Sequence, residues 1–456
     1  MNSKVYKEKI LNIKKGRNVM TKNYHGKFIF IVGCLILFLS ACAGTTDESD
    51  GAASDGEDSD GTEEIEFVLW GNSEPVQNEV QRSIDEFEKA NPGIKVNANI
   101  VPPPEKGGNY YTKIKTRITS DDAPDVFRVQ YQNVSEFVTD DALLNVTDVV
   151  NEHKENYIPS TLLAVTHEDE YYAMPHDYGA LAVYYNKTYF EELGIEAPKT
   201  VEESWNWDEF LDVAQRIQDE GLAPYGISIE WDADNASRAL PFLNQNNAYL
   251  LNEDLSSAAI NSEEGIEAFT FLQEMYQNYM SEGNKMKTSE DAPTLFASGK
   301  AAMYIGGSYL INKFKEEMDS SEWGVTFTPK EKSSASNIGG NALAIPKNSK
   351  HTEAAKKFVA FMAEQENLAA WSVAGMGLPP RADVSPDYNV EDPAVMDVFI
   401  EQSKTGHEQM AKTVLDPRYP KINQAFADSL ELLLISEFTP EEAVADVEKK
   451  LNDIVQ

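Results

Sequence analysis

Cysteine is nearly absent from this 456-residue chain. The two cysteines present, Cys34 and Cys42, both lie within the first 42 residues, so the rest of the chain can form no disulfide and no cysteine-ligated metal site. The six histidines are scattered along the sequence, which argues against a metal site built from histidines. We therefore expect no metal and no cofactor.

The motifs of several enzyme classes are also missing. The sequence contains no phosphate loop GxxxxGK[ST], no nucleophile elbow GxSxG and no zinc motif HExxH. The glycine pairs Gly107-Gly108 and Gly306-Gly307 lack phosphate-loop spacing and predict ordinary turns. A glycosidase-like carboxylate pair stays open, because 76 acidic residues make any single pairing uninformative. We expect a non-enzyme, with a secreted glycoside-active enzyme as the weaker alternative.

Basic residues are scarce: 39 lysines and arginines stand against 76 acidic residues, for a net charge of −37. Residues 1–41 carry eight of the basic residues and one acidic residue, so their removal would take the net charge to −44. A surface of this sign repels nucleic acid and anionic lipid headgroups. We expect no nucleic-acid partner.

The apolar run from Phe28 to Leu39 has only twelve residues, too few for a comfortable membrane span. Basic residues precede it and Leu39-Ser40-Ala41-Cys42 follows, in the order of a secretory signal. The last four residues resemble the lipobox of bacterial lipoproteins, which implies cleavage before Cys42 and a lipid on its sulfur. The alternatives are a signal peptide with a chance cysteine, and a start at Met20 instead of Met1.

We expect residues 1–41 to be a lipoprotein signal peptide and residues 42–62 a disordered acidic tether. The tether segment has no large apolar residue between Ala43 and Gly61 and cannot bury a core. The remaining chain is long enough for two domains, and 41% of the whole sequence is hydrophobic.

The start of the body has the pattern of a β-α-β unit. Apolar residues mark a strand over Ile65–Trp70, a helix follows Pro75, and alternation predicts a second strand over Ile94–Ile100. Ligands of parallel sheets bind beyond the carboxyl ends of the strands. Trp70, Asn72 and Glu74 occupy such an end and are candidate ligand contacts. Core packing for Trp70, and helix capping or solvated charge for Asn72 and Glu74, are the alternatives.

The stretch from Tyr171 to Asn186 predicts two strands separated by a polar elbow at His176-Asp177-Tyr178. Such an elbow suits a backbone that crosses between two lobes beside a cleft. An ordinary buried strand pair with a surface turn is the alternative.

These segments, in this order, resemble the family 1 extracellular solute-binding proteins of ABC importers, the maltose-type sugar-binding lipoproteins. The resemblance covers nearly all of the chain after the signal. It is carried by Phe67–Trp70 with Phe87–Val96, Ala123–Val126, Ala173–Pro175 with Tyr185-Asn186, Trp207–Phe210, Phe296–Met303 with Gly306, Gly340, and Leu378-Pro379.

The resemblance implies an α/β fold of the periplasmic-binding-protein-like type II class. Two α/β lobes would be joined by a multi-strand hinge, with a ligand cleft between them. It places chain crossings near Asp177–Ala182, near Ile338–Leu343 and after Arg381. The implied first lobe comprises residues 63–178 and 339–385, and the implied second lobe comprises residues 179–338 and 386–456, the latter segment being C-terminal helices.

A sugar site needs aromatic platforms and polar side chains that donate and accept hydrogen bonds. The candidates at the predicted element ends and in the resembling segments are Gln130, Tyr131, Asp177, Tyr178, Trp231, Tyr309, Gly340, Asn341 and Arg381. Each aromatic has core packing as its alternative, and Arg381 has a structural ion pair. The segment Val129–Gln132 departs from the charged and tryptophan-containing pattern of well-studied maltose binders, so maltodextrin itself is not expected.

The resemblance implies a carbohydrate receptor that performs no chemistry. Its partners would be two ABC permease subunits and, through them, a cytoplasmic ATPase. The protein would be monomeric and held at the extracellular face of the cell membrane by its lipid alone. A binding protein for a non-sugar solute, such as glycerol phosphate or a polyamine, is the alternative. The phosphate version would need a basic cleft, for which only Arg128, Arg381 and a few lysines are candidates.

The charge balance yields a testable expectation about salt. Repulsion among the excess carboxylates is screened as ionic strength rises. We expect the purified chain to gain solubility and melting temperature when sodium chloride is added, as a saline or alkaline habitat would require. Equal stability and solubility with and without salt would contradict this habitat hypothesis.

Overall fold

The computed structural model describes residues 62–71, 73–102, 109–230, 236–284, 291–319, 322–337 and 339–456. The strands are β1 (Glu63–Trp70), β2 (Ile94–Val101), β3 (Val126–Gln130), β4 (Thr166–His167), β5 (Glu170–Tyr171), β6 (Met174–Gly179), β7 (Leu181–Asn186), β8 (Tyr225–Ile229), β9 (Ala301–Gly307), β10 (Trp323–Thr326) and β11 (Gly339–Ala344).

The helices of the first half are α1 (Glu74–Ala90), α2 (Tyr110–Thr119), α3 (Tyr131–Thr139), α4 (Thr147–Asn151), α5 (Pro159–Leu163), α6 (Lys187–Leu193) and α7 (Trp207–Asp219). Those of the second half are α8 (Leu240–Gln245), α9 (Glu263–Tyr279), α10 (Ala292–Ala297), α11 (Ile311–Glu317), α12 (Thr352–Met362), α13 (Gln365–Gly375), α14 (Ala394–Ser403), α15 (Glu408–Val414), α16 (Tyr419–Leu434) and α17 (Pro440–Val455).

The first sheet has five strands in the order β2-β1-β3-β11-β6. β1 pairs in parallel with β2 and with β3, which confirms the predicted β-α-β unit. β11 then runs antiparallel between β3 and β6. The carboxyl ends of β1 and β3 therefore open at the same edge, where a ligand of a parallel sheet is expected.

The second sheet has four strands in the order β10-β7-β9-β8. β7 pairs antiparallel with β9 and β10, and β8 pairs in parallel with β9. One face packs on α7, α9, α16 and α17 through a continuous apolar core. The other face carries an aromatic cluster around Tyr184, Phe296 and Phe314. Burial on both faces explains why β9 is buried along its whole length.

The chain passes from the first sheet to the second between β6 and β7. The break between these strands comes later in the sequence than predicted. His176, Asp177 and Tyr178 do not form an elbow but continue β6, pairing with β11 through Asn341 and Gly340. The break lies at Ala180, after Gly179. The polar residues stay in the strand because Asp177 is paired with Arg128 and accepts hydrogen bonds from Asn341 and Trp371.

Two further connections run beside this break. The segment leading to β11 lies against the start of β7, where Leu181 donates its backbone N–H to Ser336 Oγ at 3.1 Å. Farther on, Tyr178 and Leu378 exchange backbone hydrogen bonds of 2.9 Å in both directions. The chain then leaves the first sheet for α14, which packs on β7 and β10. Three neighbouring segments thus join the two sheets.

Among the described residues, no helix combines the length and apolar character that crossing a membrane requires.

Gly340 occupies a position in β11 that other residues cannot adopt without strain. Its φ angle is +152°, and an added Cβ would lie 2.4 Å from Tyr131 Cε2 and 2.5 Å from the Asp177 carbonyl oxygen. The close approach lets β11 pass directly beneath Tyr131 and Asp177 at the strand crossing.

We expect Gly340→Ala to lower the free energy of unfolding by about 2 kcal/mol, because the new methyl overlaps backbone atoms that cannot move aside. Denaturant titration of the two proteins measures the difference. Gly93→Ala is the matched control, since an added Cβ at Gly93 meets no atom of the described residues within 4 Å. A loss no larger in Gly340→Ala than in Gly93→Ala would contradict the steric account.

A candidate ligand cleft between the two sheets

The strand ends of the two sheets enclose a cavity of about 530 Å³. Most of the predicted site residues in the described part of the chain line it. Those on the first-sheet wall are Trp70, Gln130, Tyr131, Asp177, Tyr178, Gly340 and Asn341, and Tyr309 lies on the second-sheet wall.

The floor of the cleft contains an ion pair between Arg128 and Asp177. Arg128 Nη2 donates to Asp177 Oδ2 at 2.6 Å, and the two side chains are only 12% and 9% exposed. A second guanidinium nitrogen, Nη1, donates to the Trp70 carbonyl oxygen at 3.1 Å. The pair fixes the end of β1 against β6 through the middle of β3.

Two indole rings enclose the Arg128 guanidinium. Its central carbon lies 4.9 Å from the Trp70 ring centroid and 5.1 Å from that of Trp371, distances typical of cation–π contacts. The Trp371 indole N–H also donates to Asp177 Oδ2 at 3.1 Å. The cation is therefore in contact with two indole rings as well as with the Asp177 carboxylate.

Asp177 remains ionised in this environment. Burial acts to raise the pKa of its carboxyl, but the charge of Arg128 and the donors around it outweigh burial and hold that pKa below its ordinary value. One of these donors is Asn341 Nδ2, at 2.6 Å from Asp177 Oδ1. The predicted residues Asp177 and Asn341 thus contact each other as well as lining the cleft.

His176, next along β6, is fully buried with its ring 4.5 Å from that of Trp371. Burial, reinforced by Arg128, lowers the pKa of His176 to about 3 despite the opposing charge of Asp177, so the imidazole is neutral at physiological pH. Neither ring nitrogen has a hydrogen-bond partner among the residues that the structure describes. His176 supports the floor through ring packing and adds no charge to the cleft.

The rest of the first-sheet wall combines aromatic rings with polar groups. Gln130 is positioned by Tyr111, whose hydroxyl donates to Gln130 Oε1 at 3.1 Å and accepts from the Gln130 N–H at 2.9 Å. Tyr131 is buried under the cleft surface beside Gly340. Tyr178 is half-buried, and its hydroxyl lies 3.5 Å from Ser403 Oγ of α14.

The second-sheet wall presents the ring of Tyr309, which is 50% exposed. The absence of a side chain at Gly307 leaves room for this ring, because an added Cβ there would come within 2.6 Å of it. Arg238 donates to the Tyr309 hydroxyl at 3.0 Å and pairs with Glu230 at 3.2 Å. Aromatic side chains therefore line both sides of the cleft.

Two predicted contacts do not line the cleft. Glu74 is exposed in the first turn of α1, and the N-cap residue Ser73 makes no side-chain capping bond among the described residues. Arg381 is buried elsewhere, donating to Asp383 at 2.7 Å and to the Ala363 carbonyl oxygen at 2.8 Å. For Arg381 the structural ion pair, which the sequence left open, is what the structure contains. Asn72, Trp231 and Cys42 lie outside the described residues.

Sequence reasoning missed three residues that organise the cleft: Arg128 as a partner of Asp177, Trp371 and Arg238. Arg128 offered a signal, since a cation in the middle of the apolar strand Val126–Gln130 requires a buried partner. Trp371 lies 194 residues from Asp177 in sequence, and no sequence pattern connected the two. Within the described residues, no cluster of three or more histidine, cysteine or acidic side chains is arranged to hold a metal ion.

The chain resembles known transport proteins in sequence. It is 26% identical to the multiple sugar-binding protein of Streptococcus mutans over 360 residues, which cover 73% of this chain and 76% of that protein. It is 28% identical to the putative ABC transporter periplasmic-binding protein YcjN of Escherichia coli over 324 residues, covering 69% and 71% of the two chains.

Solved structures share its fold. An ABC substrate-binding protein of Listeria monocytogenes, in complex with cycloalternan, superposes with a TM-score of 0.74 at 23% identity over 86% of this chain and 98% of that one. A solute-binding protein of Thermotoga lettingae bound with α-D-tagatose gives 0.75 at 24% identity over 86% and 100%.

The family model described as bacterial extracellular solute-binding protein matches residues 70–369. This range runs from the end of β1 to within α13 and includes most of the cleft-lining segments. The family comprises binding proteins of the type II fold, in which two α/β lobes enclose a ligand cleft. With two sheets joined by neighbouring crossings around such a cleft, this chain belongs to the bacterial extracellular solute-binding proteins.

Proposed function

We propose that this protein captures a sugar or oligosaccharide outside the cell and delivers it to the permease of an ABC importer, performing no chemistry on it. The observation that carries the proposal is the cleft between the sheets, which has aromatic side chains on each wall and polar groups on its floor. Sugars offer apolar ring faces and many hydroxyls, and such a lining matches both.

The charges around the cleft disfavour an anionic ligand. Each cation that lines its described part already contacts a carboxylate. The pairs are Arg128–Asp177 at 2.6 Å, Arg238–Glu230 at 3.2 Å and Lys313–Glu317 at 2.8 Å. A phosphate group would need cations that are not already neutralised, and the net charge of −37 would repel it at a distance. This supports a sugar over glycerol phosphate.

The names of relatives point in the same direction. Besides the multiple sugar-binding protein, the chain is 21% identical over 369 residues to the arabinooligosaccharide-binding protein of Bacillus subtilis. Identities this low leave the particular sugar open. They support the carbohydrate class because the relatives match 76% and 80% of their own lengths.

Ligand capture would proceed by closure of two lobes. Lobe 1 would comprise residues 63–178 and 339–385, and lobe 2 would comprise residues 179–338 and 386–456. The sheets support this division, since β6 and β11 belong to the first sheet whereas β7 belongs to the second. The C-terminal helices α16 and α17 share the apolar core of the second sheet. Rotation about the three neighbouring crossings would open and close the cleft.

The protein would be anchored to the outer face of the cell membrane by a lipid on Cys42. The support is the basic leader, the short apolar run and the Leu39-Ser40-Ala41-Cys42 sequence. The acidic segment 43–61 would act as a solvated tether. A monomer would present the closed lobes to two permease subunits, which a cytoplasmic ATPase drives.

A screen of mono- and oligosaccharides by thermal shift and calorimetry tests the ligand class. A sugar that binds the folded state raises the melting temperature in proportion to its saturation, because ligand binding shifts the unfolding equilibrium. We expect at least one neutral sugar to raise it and polyamines and glycerol phosphate to leave it unchanged. If only a polyamine, a phosphate ester or a peptide raised the melting temperature, the sugar assignment would fall.

A pair of carboxylate substitutions tests the role of the cleft floor. Asp177→Asn removes the counter-charge of buried Arg128, and Asp383→Asn does the same for buried Arg381 outside the cleft. Breaking a buried pair on one side costs about 3 kcal/mol. We expect both variants to lose stability, with a smaller loss for the partly exposed Asp383.

Only Asp177→Asn should also weaken sugar binding, by about tenfold or more, when affinity is measured by calorimetry at a temperature where both variants are folded. Equal affinities for the two variants would mean that the Arg128–Asp177 pair supports the fold without shaping the site.

A further inference from the structure

Two side-chain hydrogen bonds join the proposed lobes, and both are donated by residues far in sequence from the chain crossings. Asn312 of α11, on the second-sheet side, donates its amide to the Ala374 carbonyl oxygen of α13 at 2.9 Å. Ser135 of α3, on the first-sheet side, donates its hydroxyl to the Leu415 carbonyl oxygen at 2.6 Å. Each bond connects residues that belong to different proposed lobes.

Both bonds have the same chemistry. Ala374 lies in the last turn of α13, and Leu415 is the residue that caps the C-terminus of α15. Carbonyls at a helix C-terminus have no partner within the helix and carry its partial negative charge. In each case an uncharged donor from the opposite lobe satisfies such a carbonyl.

The arrangement is reciprocal. Lobe 2 supplies the donor Asn312 to a helix of lobe 1, and lobe 1 supplies the donor Ser135 to a helix of lobe 2. The Leu415 side chain also packs on the core of the first sheet, whereas Met410 of the adjoining helix α15 packs in the core of the second. These two bonds therefore join the lobes at separate points, in addition to the Tyr178–Ser403 and Tyr388–Gly377 side-chain bonds of residues next to the chain crossings.

The negative charge of both lobes accounts for the use of uncharged hydrogen-bond donors between them. The lobe 1 segments carry 26 acidic and 14 basic side chains, a net of −12, and the lobe 2 segments carry 42 and 17, a net of −25. Among the described residues, every ion pair joins side chains of the same lobe. Closing two acidic surfaces is opposed by repulsion, which these uncharged hydrogen bonds escape.

We propose that Asn312 and Ser135 form a two-point latch that stabilises the closed cleft and thereby sets ligand affinity. The proposal rests on the proposed function, in which a ligand is held by closure. Ser135 does not line the cleft, so its effect on affinity acts only through the lobes. Asn312 lines the cleft edge and serves as the second point. Both are positioning residues rather than ligand contacts.

The size of the effect follows from linkage. When a ligand binds only the closed form, its apparent affinity falls in proportion to the closed fraction. A neutral hydrogen bond contributes enough for each removal to weaken binding by about three- to tenfold. The two bonds are independent, so the effects of Ser135→Ala and Asn312→Ala should multiply in the double variant. The factor for Ser135→Ala should be the same for every sugar that binds.

Matched controls separate the latch from ordinary stabilisation. Asn348 donates its amide to the Ile118 carbonyl oxygen at 2.8 Å, capping the end of α2 within lobe 1. Thr139 donates its hydroxyl to the Ser135 carbonyl oxygen at 2.8 Å within α3. We expect Asn348→Ala and Thr139→Ala to leave sugar affinity unchanged.

The test uses the chain from residue 42 with Cys42→Ser, so that no native cysteine remains. Calorimetry gives the affinities for a sugar that binds the wild type. In parallel, spin labels are attached at Glu353→Cys on lobe 1 and Gln424→Cys on lobe 2. Electron paramagnetic resonance then measures the distance between the lobes. We expect the double variant to bind at least tenfold more weakly and to show more of the longer distances.

The two failures are distinguishable. Wild type that binds a sugar, with Ser135→Ala and Asn312→Ala as tight as Asn348→Ala, overturns the latch and leaves the function standing. Wild type that binds no sugar overturns the proposed function. In that case the distance distributions of the ligand-free proteins test the latch. Longer distances in the double variant than in the wild type support it, and identical distributions overturn it.

Discussion

The cleft depends on one buried ion pair, Arg128 with Asp177. A buried charge is costly to desolvate, and it persists only where good geometry and further hydrogen bonds compensate. Here Trp70 and Trp371 enclose the cation, and the Trp371 and Asn341 side chains donate to the anion. These contacts draw together β1, β3, β6, β11 and α13. Removing either charged partner would leave the other buried and alone at the centre of the wall.

The pair also fixes what the cleft can bind. Because the cation and the anion satisfy each other, the floor offers oriented polar groups without a net charge. Trp70 and Tyr309 line opposite walls: Trp70 is buried and contacts Arg128, and Gly307 leaves room for the ring of Tyr309. The same logic extends to the contacts between the lobes, where uncharged donors meet helix ends in a strongly acidic protein. Neutralised charges in the cleft floor and uncharged contacts between the lobes thus occur in the same acidic protein.

Much of this arrangement could be predicted from the sequence, and the limits have physical causes. Apolar periodicity located β1, α1 and β2, and the order of motifs implied the two-lobed fold. Trp70, Gln130 and Asp177 line the cleft because strand ends meet at one edge of a sheet. The polar patch at Asp177 was mistaken for an elbow, since local pattern cannot show that Arg128 neutralises it within a strand. Trp371 and Arg238 come from distant helical and loop segments, and Arg381 found its partner in nearby Asp383 instead of the cleft.

The central claim is that one ligand contacts both walls of the cleft at once. Hydrogen–deuterium exchange followed by mass spectrometry, with and without a saturating sugar, tests it most directly. The account predicts slower exchange in peptides covering residues 126–132 and 174–181 of one wall together with residues 305–312 of the other. Protection confined to one wall, or found only at a surface away from these strand ends, would contradict it.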